Sequence, residues 1–254
     1  MKRIDLNCDV GEVAEAVTGG AQEQLLRYVT SSNVACGGHA GDNAMMQATI
    51  EQCLRHGVAI GAHPGYEDRG NFGRIELKLS REEITASIYR QLLALAGIAD
   101  RCGARIGHVK PHGALYNQAA RERELARAIA EGVARWRSDV VLVGLAESVM
   151  LREFSAAGFA VGAEAFADRR YEPDGSLRSR KLPDALLRKP EEAAAQAVQI
   201  VERGSVIAAD GSTVPLHAQT ICIHGDTPGA PEFAAAVNRA LRAAGIALKP
   251  IAAE

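Results

Sequence analysis

Ile4-Asp5-Leu6-Asn7-Cys8-Asp9-Val10-Gly11-Glu12 alternates apolar and polar residues, and what this stretch does with its polar face decides the fold. In an extended chain successive side chains point to opposite faces, so Asp5, Asn7 and Asp9 share one face and Ile4, Leu6 and Cys8 the other. Further short apolar runs read as buried strands: Val29 to Cys36, Val58 to His63, Arg105 to Lys110, Val140 to Gly144, Ala160 to Glu164, Thr220 to His224 and Ala247 to Ile251, with the first at Arg3 to Cys8. Helical patterns separate most of them. One runs from Asp42 to Gly57, and a second opens with the capping box Ser80-Arg81-Glu82-Glu83. A third carries Leu125, Ile129, Val133 and Trp136, and a fourth runs from Pro190 to Gly204. Strand and helix in alternation imply a parallel sheet with helices outside it.

An open doubly wound sheet and a closed barrel both satisfy that alternation. Polar groups arbitrate, because they recur at the C-terminal ends of strands: Asn7 and Asp9, His39, His63, Lys110 and His112, Asp168, then His224 and Asp226. A (β/α) barrel gathers all such ends around one mouth, where its active site is built. The expectation is an irregular, TIM-like α/β barrel of seven or eight mostly parallel strands in a single domain, residues 1–254, with the polar face of the first strand turned inside. The segments Pro64 to Leu79 and Phe166 to Lys189 have no clear periodicity and read as excursions at the mouth, while Val206 to Leu216, with Asp210-Gly211 at its centre, reads as a hairpin.

Composition narrows the partners. The chain has 254 residues, 47% of them hydrophobic, and 29 Lys and Arg stand against 31 Asp and Glu. Such balance supplies no field for nucleic acid or an anionic membrane surface, which leaves small molecules, other proteins and self-association into a homo-oligomer. Charge at Lys2, Arg3 and Asp5 replaces any apolar leader, and the five cysteines include no CxxC pair, so a reduced, cytoplasmic location is expected.

Several residues carry chemistry. Asp9, near the mouth, is read as functional and Asp5, deeper, as a member of a structural ion pair; Glu12 divides evenly between site and solvent. In Asn33-Val34-Ala35-Cys36-Gly37-Gly38-His39-Ala40-Gly41-Asp42 the glycines free backbone amides to hold an anion, Asp42 fits a helix N-cap, and His39 has no structural reason to be there. Cys36 reads as a small buried residue. Below His63, Ala59 and Gly61 leave room inside the barrel. Asp68 and Arg69 follow in the loop, and Arg74, between Gly73 and Ile75, is placed to grip a carboxylate or phosphate. His108, Lys110 and His112 alternate along one strand; Lys110 reads as a charge stabiliser or a base of depressed pKa, His112 as a proton shuttle and His108 as a core histidine or a site residue. Asn117 reads as a helix cap, Asp226 as a cap or a site residue before Thr227-Pro228, and His56 and His217 as surface residues. No G-x-x-x-x-G-K-[ST] loop, G-x-G-x-x-G or G-x-S-x-G occurs, which leaves hydrolysis by activated water.

Taken together, Asp5 to Glu12, Asn33 to Asp42, Gly61-Ala62-His63-Pro64-Gly65, Phe72-Gly73-Arg74, Lys110 to Asn117, Phe166-Ala167-Asp168-Arg169 and His224-Gly225-Asp226 resemble the motifs of the LamB/YcsF family, in order and over nearly the whole chain. The resemblance implies the irregular barrel of carbohydrate deacetylases and the role of A subunit in a prokaryotic 5-oxoprolinase, working with B and C subunits to convert 5-oxoproline to glutamate. ATP, with Mg2+, would be used by that complex to phosphorylate the lactam. Asp9, His63, Lys110 and His112 are then the expected catalytic residues. Asn7, Gly37, Gly38, Arg74, Asp168, Arg169, His224 and Asp226 would bind substrate or phosphate, and Asp9, His39 and His63 would be the ligands if a divalent metal is held. Two rivals stay open: a stand-alone metal-dependent amidohydrolase or deacetylase, and a scaffold that only binds the lactam.

Overall fold

The computed structural model describes residues 2–226 and 229–252. Parallel strands β1 (Arg3–Val10), β2 (Ser31–Ala35), β3 (Ala59–His63), β4 (Ile106–Val109), β5 (Val141–Leu145) and β6 (Ala160–Phe166) stand side by side in chain order. Two short antiparallel strands, β7 (Ser205–Ile207) and β8 (Thr213–Pro215), make the expected hairpin. Strand β9 (Thr220–Ile223) then slots between β6 and β1 and closes the ring, because β1 pairs with both β2 and β9. The barrel therefore has seven strands.

The eighth expected strand survives only as β10 (Ala247–Leu248), paired with Arg3 and Ile4. Beyond it the chain turns under the barrel, where Ile251 and Ala252 occupy the space that side chains on Gly162 and Gly107 would take. The C-terminal segment thus floors the barrel instead of extending its sheet.

Helices α1 (Ala14–Thr18), α2 (Ala21–Leu26), α3 (Asn43–His56), α4 (Arg81–Arg101), α5 (Gly113–Ala119), α6 (Arg123–Trp136), α7 (Val149–Ala156), α8 (Pro190–Arg203) and α9 (Ala230–Ala243) lie along the connections. Their ends follow local chemistry. Asp42 caps α3 by accepting from Met45 N at 2.8 Å, and Gly57 ends it in the left-handed region. Ser80 and Glu83 form a reciprocal capping box on α4. The expected helix start at Thr227-Pro228 lies outside the described residues; α9 carries Pro231 in its first turn. Asn117 caps nothing: it sits inside α5, a helix the periodicity did not reveal.

The hydrophobic layer lies outside the barrel. Leu6, Val34, Ile60, Val109, Leu142 and Ile221 point outward from the strands and pack with Ile50, Leu92, Ile129, Phe154 and Val237 of the helices. Inside, the alternate residues are polar, as β1 requires. Asp5 accepts from the hydroxyls of Thr30, Ser31 and Thr220, so its burial is offset by three neutral donors and not by the cation expected. Burial still lifts its carboxyl above the ordinary range. His108 fills the room left by Gly61, where a Cβ would meet its ring at 2.1 Å, and its Nε2 donates to Asn33 Oδ1 at 2.9 Å. It is a core histidine. No helix among the described residues is long and apolar enough to cross a membrane.

Candidate active site

The seven barrel strands point the same way, so their C-terminal ends meet at one mouth, and a cavity of about 1220 Å3 opens over it. At its base Lys110 is 2% exposed, with Nζ 2.9 Å from Asp9 Oδ1, 2.9 Å from Glu164 Oε1 and 3.1 Å from Cys222 Sγ. Burial works against the ammonium, but Asp9 and Glu164 outweigh it and hold the pKa well above the ordinary lysine value. Lys110 is therefore a permanent charge, and the reading of it as a base of depressed pKa is overturned. Glu164 has no place among the residues singled out from the sequence. Yet the period-two rule that marked Asp5, Asn7 and Asp9 applies to β6 as well, where a lone Glu between Ala163 and Ala165 faces the same interior.

Asn7 lies below this pair, donating to Glu164 Oε1 at 3.0 Å and to Thr220 Oγ1 at 2.6 Å and accepting from Asn33 Nδ2 at 2.8 Å. It positions the carboxylates and does not line the cavity, contrary to its expected role in binding substrate. Gly37 and Gly38 are also absent from the lining. The space over their backbone is filled by Arg69, whose Nη2 donates to the carbonyls of Gly37 and Gly41, and by the Gln91 amide against Gly38. No anion cradle remains there.

Beside Lys110 the histidines converge. Glu12, placed by the left-handed turn at Gly11, reaches back over the mouth with Oε1 2.9 Å from His39 Nε2, 3.1 Å from His112 Nδ1 and 3.8 Å from His63 Nε2. Its carboxyl is held well below its ordinary range: burial opposes ionisation, but the imidazoles of His112 and His39 prevail. Burial pushes His39 down to about 4 and also lowers His112, whereas in His63 burial is outweighed by Asp9 and the pKa rises.

The ring nitrogens reveal a conflict. His63 Nδ1 lies 2.8 Å from the Lys110 carbonyl and His112 Nε2 lies 2.9 Å from the Phe72 carbonyl. Carbonyls only accept, so each of these nitrogens carries the hydrogen and each neutral ring turns a lone pair inward. Those lone pairs, on His63 Nε2 and His112 Nδ1, face each other at 3.0 Å beside the Glu12 carboxylate. Either a proton on His63 or a cation must resolve the repulsion. Imidazoles fixed through their outer nitrogen by carbonyls are the usual arrangement around a bound metal. The donor atoms of Glu12, His39, His63 and His112 all lie within 4.8 Å of one another, a carboxylate and imidazole set suited to a divalent ion. Relative to the expected set of Asp9, His39 and His63, Glu12 and His112 enter. Asp9 is drawn off by Lys110 and Asn33, although its Oδ2 stays 3.5 Å from His63 Nε2. His63 and Lys110 together hold the Asp9 carboxyl well below its ordinary range against the pull of burial.

Across the cavity Asp168 binds His224 Nδ1 at 2.9 Å, and His224 stacks on Phe166 at 5.2 Å between centroids. Arg74 pairs with Asp226 and lies over the Phe72 ring at 4.7 Å. Arg169, His224, Arg74 and Asp226, expected to bind substrate or phosphate, all line the cavity, and Asp168 reaches it through His224. Of the two readings of Asp226, the cavity lining places it at the mouth, while the helix start it would cap lies outside the described residues. Tyr116, unforeseen, also faces the cavity, its buried hydroxyl turned toward Glu164.

The fold and mouth define a closed (β/α) barrel whose strand ends assemble a buried cluster of histidines and carboxylates around one lysine. The LamB/YcsF family model matches residues 4–254, and the chain belongs to that family. It is 51% identical over 249 residues to a protein of Chloroflexus aggregans named as the A subunit of 5-oxoprolinase, covering 98% of this chain and 99% of that one. Superposition on the lactam utilization protein of Thermus thermophilus gives a TM-score of 0.91 at 42% identity over 98% of this chain and all of the other. A putative cellobiose-phosphate cleavage protein of Enterococcus faecalis, at 15% identity and a TM-score of 0.56 over 98% of this chain and 97% of its own, shares the fold.

Proposed function

We propose that this chain is the A subunit of an ATP-dependent 5-oxoprolinase and performs the hydrolytic half of its reaction, opening the lactam of 5-oxoproline to glutamate. The observation that carries this reading is the convergence of Asp9, Glu12, His39, His63 and His112 beside Lys110 at one cavity, in a chain related along its length to proteins of that name. A five-membered lactam is an unstrained amide, and its resonance resists water. Phosphorylation of the lactam oxygen by the partner B and C subunits, at the expense of MgATP, would make the ring carbon electrophilic: water adds there, the C–N bond breaks as the nitrogen takes a proton, and a second water releases phosphate from the resulting acyl phosphate to leave glutamate.

Hydrolysis then needs a base, a fixed charge and a dry site. Asp9 and His63 supply the base together: Lys110 and Asn33 occupy Asp9 Oδ1, its Oδ2 lies 3.5 Å from His63 Nε2, and a proton taken from water would rest on the imidazole, whose pKa Asp9 raises. Lys110 stays protonated and opposes negative charge developing on the substrate. The loop from Gly65 to Gly73, packed on His39 and His112, screens the cluster from solvent. A divalent ion held by Glu12, His39, His63 and His112 would add Lewis acidity toward water and the amide oxygen.

The test is glutamate formation from 5-oxoproline and MgATP by this chain alone and with its B and C partners. Turnover only in the complex is expected; glutamate from the isolated chain would refute the division of labour.

A further inference from the structure

Arg169 is the least expected burial in the molecule. Its residue is 4% exposed, yet Nε has no hydrogen-bond partner among the described residues, and of its other nitrogens Nη2 donates to the Arg178 carbonyl at 2.6 Å. A buried N–H of a charged group left unmade is costly, and native proteins seldom leave one without a purpose. Burial, with Arg180 and Arg74 nearby, lowers its pKa to about 10, still far above neutrality, so the charge stays. Of the acids close by, Asp168 binds His224 and supports the Arg169 charge, and Asp226 pairs with Arg74, with Arg180 Nη1 at 3.9 Å. Arg74, Arg169 and Arg180 all line the same cavity as the Asp9 and Glu12 cluster. Phe166 also lines this cavity, its ring stacked on His224.

We propose that Arg169, with Arg74 and Arg180, forms an oxyanion subsite that anchors the substrate by a charged group away from the bond to be broken. A planar guanidinium with a free Nε edge suits a carboxylate or a phosphate. Resting on the reading of this site as a 5-oxoproline hydrolase, the subsite makes Arg169 the residue that distinguishes an acid-bearing lactam from a neutral one. The oxyanion has two sources, the carboxylate of 5-oxoproline or a phosphoryl group on the lactam oxygen.

Calorimetric titration of the isolated, folded chain with 5-oxoproline, 2-pyrrolidinone and inorganic phosphate separates these sources. Wild type should bind at least one of the two anions and bind 2-pyrrolidinone far more weakly. Arg169→Gln should weaken the anion roughly ten- to hundred-fold, the range for a lost charged hydrogen bond, and Arg169→Lys should recover only part. Loss confined to 5-oxoproline assigns the carboxylate, and loss confined to phosphate assigns the phosphoryl group. Since Arg169 is buried, Arg180→Gln, at the cavity rim, serves as a second variant and should weaken the same anion. Unchanged anion affinity in both folded variants, or no anion binding by wild type, overturns the subsite. Failure of the hydrolase reading would appear instead in the complex, as wild type that binds the anion but yields no glutamate.

Discussion

Replacing Lys110 by methionine keeps most of its length and removes its charge, and the structure says how much that should cost. Lys110 Nζ is 2.9 Å from carboxylate oxygens of both Asp9 and Glu164, and at an effective dielectric of about 20 each such contact carries a gross attraction of about 6 kcal/mol. The variant also escapes the desolvation of a buried ammonium, worth several kcal/mol. What remains is the penalty of uncompensated buried carboxylates, so the net loss should be about 3–5 kcal/mol. Urea unfolding at pH 7 measures it. Two further outcomes follow from the same geometry. Lys110→Met/Glu164→Gln should lose less than the sum of the single variants, with a coupling of about 1–3 kcal/mol, because one orphaned charge has been removed. In Lys110→Met the Asp9 carboxyl also loses a cation that holds its pKa down, so the folded variant takes up a proton more readily than wild type and the deficit should shrink as pH falls from 8 to 5. A loss under about 1 kcal/mol, or additivity in the double variant, would refute the view that one lysine balances two acids at the barrel centre.

Gly61→Ala places a Cβ 2.1 Å from the His108 ring and should destabilise the fold by about 1–3 kcal/mol, with Gly61→Ala/His108→Ala recovering part of the loss; thermal unfolding that does not change in Gly61→Ala would contradict the packing. Burial holds His108 at about 3, so between pH 6 and 5 the unfolded chain binds a proton that the folded chain refuses, and stability should fall as pH falls. His108→Gln should therefore reduce the pH dependence in that interval by up to about 1.4 kcal/mol per unit, and an identical slope in variant and wild type would show that His108 titrates freely. Zn2+ or Mn2+ titrated into the isolated chain should bind at the histidine cluster, and Glu12→Gln should weaken it roughly tenfold or more; wild type that binds neither ion would leave the proton on His63 as the answer to the facing lone pairs.

The periodicity of β1 foretold a polar barrel interior, and the strand ends foretold the mouth, because both depend on local alternation and on strands that run parallel. Glu164 escaped because a single acid in an apolar strand makes no pattern of its own, even though its parity was readable. Glu12 looked like a loop residue: only the left-handed turn at Gly11, whose N–H donates to Gln22 Oε1 at 2.7 Å, swings it back over the histidines. The glycines at positions 37 and 38 promised an anion cradle, but the arginine that fills it comes from another loop, at Arg69. Lys110 could be read as base or charge until the count of carboxylates around it was known. The strand ends named the residues; which residue pairs with which was set by loops and by register between strands distant in sequence.

The central claim is that bond cleavage occurs at the Asp9, Glu12 and His63 cluster of this chain, and that its activation occurs elsewhere. The most direct measurement follows ATP consumption and glutamate formation together in the reconstituted complex, with wild type and with His63→Gln and Asp9→Asn. Wild type should couple the two, and the variants, once shown to be folded and assembled, should lose glutamate formation while the partners still consume ATP in the presence of 5-oxoproline. Glutamate production undiminished in both variants would contradict the account.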